Sequence, residues 1–377
     1  MLKSLRIDNY KSLVNFDLNI SDKKTLLLMG ENGSGKTSVF EVLENLKSFI
    51  SLGKVVSDVF PTSTLTRWQT NKEQSFEFEW FGNEGTYLYS LKIEHDKESL
   101  RSQMKQERLY FNNQPLYQFD LVEENNYQVG KARLYNDNFS EGSPFLLVWS
   151  QSGIYNIQER GDNKKLMWFK RHIMKHLLIV CLNPSLMQAE SREESSYLLS
   201  DLSNFTDWFR YLMQDMEIIF RLSNDLKEIL LGFESFKWTQ TGEREKVLMI
   251  KFTGYEVRFN ELSDGQRVLI ALYTLLFAFP ESENYTLCID EPENYLALAE
   301  IDPWLNFVYD QSEEQEGQFL LISHHPKLIN SLAKDSSYWF SKDTSNSPTR
   351  CQAIAHNSKD TGVSIADLVE RGWVYVQ

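Results

Sequence analysis

The chain has 377 residues, 42% apolar, 24% charged and 13% aromatic, an ordinary globular composition with ample apolar material for a large core. Nine Pro and 17 Gly exclude a collagenous or proline-rich scaffold. With 39 Lys+Arg against 53 Asp+Glu the formal charge is −14, which excludes a uniformly basic nucleic-acid coat and leaves only a local basic groove.

This length predicts two or three domains, or one large α/β domain with insertions. The first ten residues alternate apolar and polar side chains like a strand and lack the apolar core of a signal peptide. Residues 5–10 and 13–20 have strand character, and 25–29 form a short apolar strand. A glycine-rich loop follows, then residues 37–50 run with helical spacing through Val39, Leu43, Leu46 and Ile50. Residues 51–75 are polar and irregular. Over 75–110, aromatic and β-branched residues alternate with charges (Phe76, Phe78, Trp80, then Tyr87, Tyr89, Leu91, Ile93), and the turn residues at 82–85 predict an antiparallel hairpin. Residues 111–160, rich in Asn and Gln, receive no assignment. Residues 166–178 and 205–231 read as helices, with a strand at 177–182 between them. A second hairpin is predicted over 247–252 and 255–259, turning at Thr253 and Gly254.

The remainder alternates: helix 264–279, strand 286–289, helix near 301–309, strand 319–322, helix 326–332. That alternation predicts a parallel sheet covered by helices, shared by the two ends of the chain, with the middle inserted as lobes. The longest apolar run, 268–279, is about half a membrane-spanning helix, so no membrane anchor is expected. Cys181, Cys288 and Cys351 lie far apart without metal-ligand spacing and are read as reduced thiols in a cytoplasmic protein.

Gly30, Glu31, Asn32, Gly33, Ser34, Gly35, Lys36 and Thr37 fit G-x-x-x-x-G-K-[ST] at every fixed position, with an apolar strand before and a helix after. The chemistry explains the residue types. Glycines let the backbone curl so that successive N–H groups face phosphate oxygens. The helix N-terminus, opening with Lys36, Thr37 and Ser38, adds partial positive charge. Lys36 reaches the terminal phosphates, and the Thr37 hydroxyl is a hard-oxygen ligand for Mg²⁺. The apolar strand at 286–289 ends in Asp290 and Glu291, which such a strand delivers to the ligand-binding edge of its sheet. Asp290 is placed to hold Mg²⁺, and Glu291 to orient and polarise a water.

Leu262, Ser263, Asp264, Gly265, Gln266 and Arg267 open an apolar helix, with Ser263 or Asp264 as its cap. Arg267 lies 23 residues before Asp290, room for one helix and a return. Here the sequence resembles the ABC-type ATPases, whose signature begins Leu-Ser-Gly-Gly-Gln; Asp in third place matches variants of the SMC and RecF branch. Ser323, His324, His325 and Pro326, at the end of the next apolar strand, look like the switch-histidine segment of the same families, with His324 aligned to the switch and His325 left open. With Asn9, Tyr10, Lys11 and Ser12 at the start, these motifs stand in family order and resemble the SMC/RecF/OLD-like ATPase heads of prokaryotes, many of which serve DNA repair or anti-phage defence.

The resemblance implies an α/β P-loop NTPase fold: an ABC-ATPase head with a parallel core sheet, an antiparallel β lobe and an inserted helical lobe. It implies ATP and Mg²⁺ as cofactors and a homodimer in which Ser263 and Gly265 cap the γ-phosphate held by the other copy. By the same analogy Lys11 and Ser12 contact the nucleotide, His324 bonds the γ-phosphate, and a glutamine, Gln151 or Gln158, senses Mg²⁺. The expected divisions are 1–160 for the first part of the ATPase lobe, 161–245 for the helical lobe and 246–377 for the second part.

The chain also departs from the pattern. The 225 residues from Thr37 to Leu262 carry no heptads, so no long coiled coil is expected. About fifty residues follow His324, without the Asp-x-Asp motif of an OLD-type nuclease. The expected role is therefore an ATPase gating a separately encoded effector, a nuclease, in anti-phage defence; a DNA-repair ATPase binding DNA directly is the alternative, and a transporter subunit a weaker third. Lys164, Lys165, Lys170, Arg171 and Lys175 form a basic run that either contacts nucleic acid or is a solvated helix face. Residues 281–316 hold eleven acidic residues and no Lys or Arg, a surface for a basic partner. The apolar segment 369–377 is expected to dock on the ATPase or on a partner.

Overall fold

The computed structural model describes residues 1–21, 23–278, 284–314, 317–332, 336–354 and 366. The apolar segment at 369–377 and the last residue of the helix expected over 264–279 lie outside them. The chain forms two compact units, the first built on Met1–Leu177 and the second beginning at Leu178.

In the first unit, strands β1 (Leu2–Asp8) and β2 (Phe16–Asn19) pair antiparallel, and β3 (Thr25–Gly30) is buried along its whole length. Helix α1 (Lys36–Leu52) buries Val39, Phe40, Leu43, Leu46, Phe49 and Ile50, the spacing of one apolar face. Its last turn is closed by Gly53, left-handed at φ 68°, whose N–H donates to Ser48 O. After the short helix α2 (Val56–Val59) comes a meander: β4 (Glu73–Gly82), β5 (Gly85–Asp96), β6 (Arg101–Phe111), β7 (Gln114–Glu124), β8 (Tyr127–Leu134) and the short β9 (Phe145–Leu146). With β2 and β1 they make one eight-stranded sheet, in the order β2-β1-β4-β5-β6-β7-β8-β9. The predicted hairpin is thus the first part of a much longer antiparallel sheet that runs through the unassigned segment 111–160.

Alternation sorts the faces of this sheet. Phe76, Phe78, Trp80, Tyr87, Tyr89, Leu91 and Ile93 point inward and are fully buried. The other face is laced with ion pairs, Arg6 with Asp17 and Glu77, Glu73 with Lys92 and Lys105, Arg108 with Asp120. Helix α3 (Gly153–Asn156) and helix α4 (Lys164–His176) follow in the same unit. The rings of α4 explain why: Phe169 stacks on Phe78 and Tyr87, and Trp168 stacks on Tyr87 at 5.4 Å. That packing places α4 with the residues before it, and this part of the first unit runs to Leu177.

The second unit begins with β10 (Leu177–Cys181) and the short β11 (Glu190–Ser191). The single helix expected over 205–231 is two, α5 (Phe205–Leu212) and α6 (Met216–Ile229). They are separated because the Asp215 carboxylate caps a new helix, accepting from Glu217 N at 2.9 Å. Strand β12 (Phe233–Gln240), which periodicity did not reveal, pairs with β13 (Lys246–Phe252); β13 also pairs with β14 (Tyr255–Arg258), the expected hairpin, and with β11. The expected helical lobe over 161–245 thus also contains strands β10, β11 and β12. The predicted alternation follows: α7 (Asp264–Phe277), β15 (Tyr285–Asp290), α8 (Leu298–Glu314), β16 (Gly317–Ile322) and α9 (Pro326–Leu332). β15 and β16 are parallel with β10 beside β15, and α7 is buried on nearly every face, as a helix covering a sheet must be.

The chain then returns to the first unit. β17 (Ser337–Ser341) pairs parallel with β3, and β18 (Arg350–Ala353) pairs antiparallel with β17. The two ends of the chain do share a sheet, and residues from the second half thereby come to stand against the glycine-rich loop.

Candidate functional site

The loop after β3 is shaped by main-chain geometry. Gly30, Gly33 and Gly35 have φ of 137°, 75° and 105°, a region closed to most side chains. Gly30 has a second constraint, since a Cβ there would lie 2.0 Å from Phe340 O on β17. Gly35 is the N-cap of α1 and has no side chain to cap it, and the first turn of α1 carries no acidic residue. The leading N–H groups and the helix dipole therefore face outward toward an anion. Lys36 is 6% exposed, and its Nζ donates to Gly30 O at 2.8 Å and Glu31 O at 2.9 Å, which holds the ammonium across the loop. Ser34 is buried, and its Oγ has no hydrogen-bond partner among the described residues. The curled backbone, the buried ammonium and this orphaned hydroxyl fit a polyphosphate.

Lys11 and Ser12 adjoin the loop in different ways. Lys11, at φ 50°, sends its ammonium to Glu41 on α1. Ser12 bonds Thr349, which in turn bonds the loop, as described below. Gln151 is a correction. Its Nε2 donates to Gly53 O at 2.8 Å, beyond the far end of the 17-residue α1, so about 25 Å of helix separates that contact from Thr37. A side chain held there does not ligate an ion at Thr37. Gln158 is exposed, and its carbonyl accepts from Asn163.

In the second unit, parallel pairing of β15 with β16 sets Asp290 beside Ile322 and brings the two strand ends together. Glu291 is left-handed at φ 51°, a strained conformation for a glutamate that costs of order 1 kcal/mol. It is fixed by its N–H to Ile322 O at 2.9 Å, and its Oε2 accepts from Asn294 Nδ2 at 2.7 Å. Glu293 Oε1 accepts from Ser323 Oγ at 2.7 Å and from His324 N at 3.4 Å, tying the acidic segment to the histidine segment. The two histidines separate clearly. His325 Nδ1 accepts from Lys327 N at 3.3 Å at the start of α9, whereas His324 is exposed. His325 serves the helix and His324 faces out.

Ser263, not Asp264, caps α7: its Oγ accepts from Gln266 N at 3.3 Å, while Gln266 Oε1 accepts from Ser263 N at 3.1 Å. Ser263 and Asp264 are exposed, and Asp264 pairs with Arg267. Gly265 is tight against the acidic segment, where a Cβ would lie 2.8 Å from Tyr295 O. The second unit thus gathers Asp290, Glu291, His324, Ser263 and Gly265 through Glu293, Asn294 and Tyr295, and the first gathers residues 30–38 with Lys11 and Ser12. Of the supporting residues, Asn294, Tyr295 and Thr349 carried no sequence signal.

Three of the five cations of the basic run on α4 are engaged within the chain. Lys165 Nζ donates to Asp137 O, Lys170 Nζ to Tyr155 O and Ile157 O, and Arg171 pairs with Glu159. No described helix is long and apolar enough to cross a membrane.

Residues 185–330 match the family model described as "AAA domain, putative AbiEii toxin, Type IV TA system". That span takes in Ser263, Asp290, Glu291 and His324 and leaves out the phosphate loop. No curated protein matches the chain. Among solved structures, an SMC head bound to the C-winged helix domain of ScpA is similar at 12% identity, with a TM-score of 0.56 over 94% of this chain and 98% of that one. An SMC head from Thermotoga maritima (12% identity, 94% and 99% covered) gives 0.41. An SMC head with an extended coiled coil, bound to the C-terminal domain of ScpA from Pyrococcus furiosus (12% identity, 98% and 98% covered), gives 0.49. The first of these shows a shared fold. The chain has an α/β fold with the architecture of an SMC head, and among the described residues no helix exceeds 17 residues, so no long coiled coil is present there.

Proposed function

We propose that this chain binds ATP with Mg²⁺, hydrolyses it, and works as a homodimer closed around the nucleotide. The observation that carries this reading is the phosphate loop, where three left-handed glycines and a buried lysine form a cradle of N–H groups and positive charge. Gly30, Asn32, Gly33, Ser34, Gly35 and Ser38 surround the phosphates and Lys36 neutralises them. Thr37 and Asp290 are the hard-oxygen donors for magnesium, an ion usually held by one or two protein oxygens plus substrate phosphates. When bound, that ion supplies neutralisation of phosphate charge. Glu291 orients the water and takes its proton, and His324 donates to the γ-phosphate. Ser263 and Gly265, at the exposed start of α7, reach the nucleotide held by the second copy.

Glu291→Gln tests the base. ATP affinity should persist while turnover falls by about 100-fold or more, with the dimer trapped in a sizing column run with ATP. Turnover equal to the parent would remove Glu291 from that role.

The ATPase cycle is further assigned to gating a separately encoded nuclease in prokaryotic anti-phage defence, in the cytoplasm. The toxin–antitoxin description of the family matched by 185–330 supports a two-component arrangement, and the engagement of Lys165, Lys170 and Arg171 of α4 by groups within the chain weighs against a DNA clamp. The chain alone should leave DNA intact and bind it weakly. Filter retention that falls steeply with salt would favour the DNA-repair reading instead.

A further inference from the structure

We propose that Thr349 is a positioning residue for the nucleotide: with Ser12, its hydroxyl locks the peptide bond joining Ser34 to Gly35 so that the Gly35 N–H faces the phosphates. This rests on the phosphate-loop reading above and names a control on that site from the other end of the chain.

Thr349 ends the connection from β17 to β18. A turn holds that connection, Ser347 N and Oγ both donating to Thr344 O at 3.2 and 2.9 Å, and Arg350 pairs with Asp343 across its base. The Thr349 N–H donates to Ser12 O at 2.9 Å, and the residue is 6% exposed. Its Oγ1 lies 2.7 Å from Ser34 O and 2.8 Å from Ser12 Oγ. Counting hydrogens fixes the direction of both bonds. The Ser34 carbonyl only accepts, so the single hydrogen of the Thr349 hydroxyl goes there. Ser12 must then be the donor to Thr349, and its own hydrogen is used. Ser12 Oγ therefore serves the loop through Thr349.

The consequence for the ligand follows from the peptide plane. In a trans peptide the C=O and the next N–H point in opposite directions. With the Ser34 carbonyl drawn back onto Thr349, the N–H of Gly35 is turned to the front of the loop. Gly35 rests directly on the two hydroxyls, where a Cβ would lie 2.7 Å from Thr349 Oγ1 and 3.1 Å from Ser12 Oγ. Without the Thr349 hydroxyl this peptide is free to rotate, and ordering it becomes part of the work of binding.

The test uses the full chain with magnesium, reading ATP and ADP affinity by calorimetry and turnover at saturating ATP. Thr349→Val, which removes the hydroxyl at nearly constant volume, should weaken both nucleotides about tenfold while saturated turnover stays within about twofold. Thr349→Ser, which keeps the hydroxyl, should restore parental affinity. Ser12→Ala should shift affinity in the same direction by about threefold. Unchanged affinity in Thr349→Val, or a loss of turnover and melting temperature at parental affinity, overturns the assignment and leaves the ATPase reading standing. A parent chain that takes up no nucleotide overturns both.

Discussion

Around residues 30–36 the determinants belong to the main chain: glycine φ values, a strand backbone 2.0 Å from a would-be Cβ, and carbonyls that hold Lys36. Around Asp290 they belong to side chains, with Asn294 on Glu291, Glu293 on Ser323, and Gln266 on Ser263. A main-chain site tolerates almost no substitution at its glycines but leaves its other positions free. A side-chain site tolerates isosteric change and loses function one group at a time. The loop is also backed by a neighbouring strand, whereas the acidic segment stands partly exposed at strand ends.

The largest effect should come from the main-chain side. Gly30→Ala must force β3 and β17 apart at Phe340, and should cost about 3 kcal/mol or more and abolish nucleotide uptake, read by denaturant melts and calorimetry. A stable, nucleotide-binding Gly30→Ala would break the contrast. On the side-chain side, His324→Ala should lower turnover about 100-fold with little change in stability. His325→Ala should do the reverse, costing about 1 kcal/mol through the lost contact at the start of α9 while turnover stays near parental. Equal losses from the two would mean that the side-chain site is not divided as their exposure indicates.

The smallest effect lies in the antiparallel sheet. Burial lifts the Glu107 carboxyl from its ordinary 4.5 to about 7, although Ser152 Oγ, Gly153 N and Tyr89 OH all donate to it. Burial pushes His95, bonded to Gln74 and Ser102, from 6.5 down to about 4. Between about pH 4.5 and 6.5 the folded glutamate keeps a proton that the unfolded chain loses, so its contribution to stability falls as pH rises. In the same window the unfolded histidine holds a proton that the folded one lacks, so its contribution rises. The two slopes have opposite signs and offset each other, so this pair adds little net pH dependence to denaturant melts across the window. Glu107→Gln should uncover the histidine, with stability rising by about one proton's slope, and an unchanged profile would refute the opposition.

Much of the phosphate loop was legible because glycine at positive φ leaves few alternatives, and the acidic strand end because an apolar strand closed by two carboxylates is an uncommon pattern. The strands of 111–160 were hidden by their own turn signal. Asn112, Asn113, Asn125 and Asn126 all have positive φ, so the asparagines that made the segment look irregular are the tight turns of the meander. The break in 205–231 rested on one capping carboxylate inside continuous apolar spacing. Thr349 left no trace because its meaning lies in a contact 315 residues away, and a lone threonine after a proline is common in any loop.

That separation has a consequence for synthesis. Every residue of the phosphate loop is made before β17 and Thr349, which brace it from behind and arrive about 300 residues later. At about 5–20 residues per second, the nascent loop waits roughly 15–60 s for its support. A chain still being made therefore carries the glycine-rich motif before the strand and the threonine that brace it.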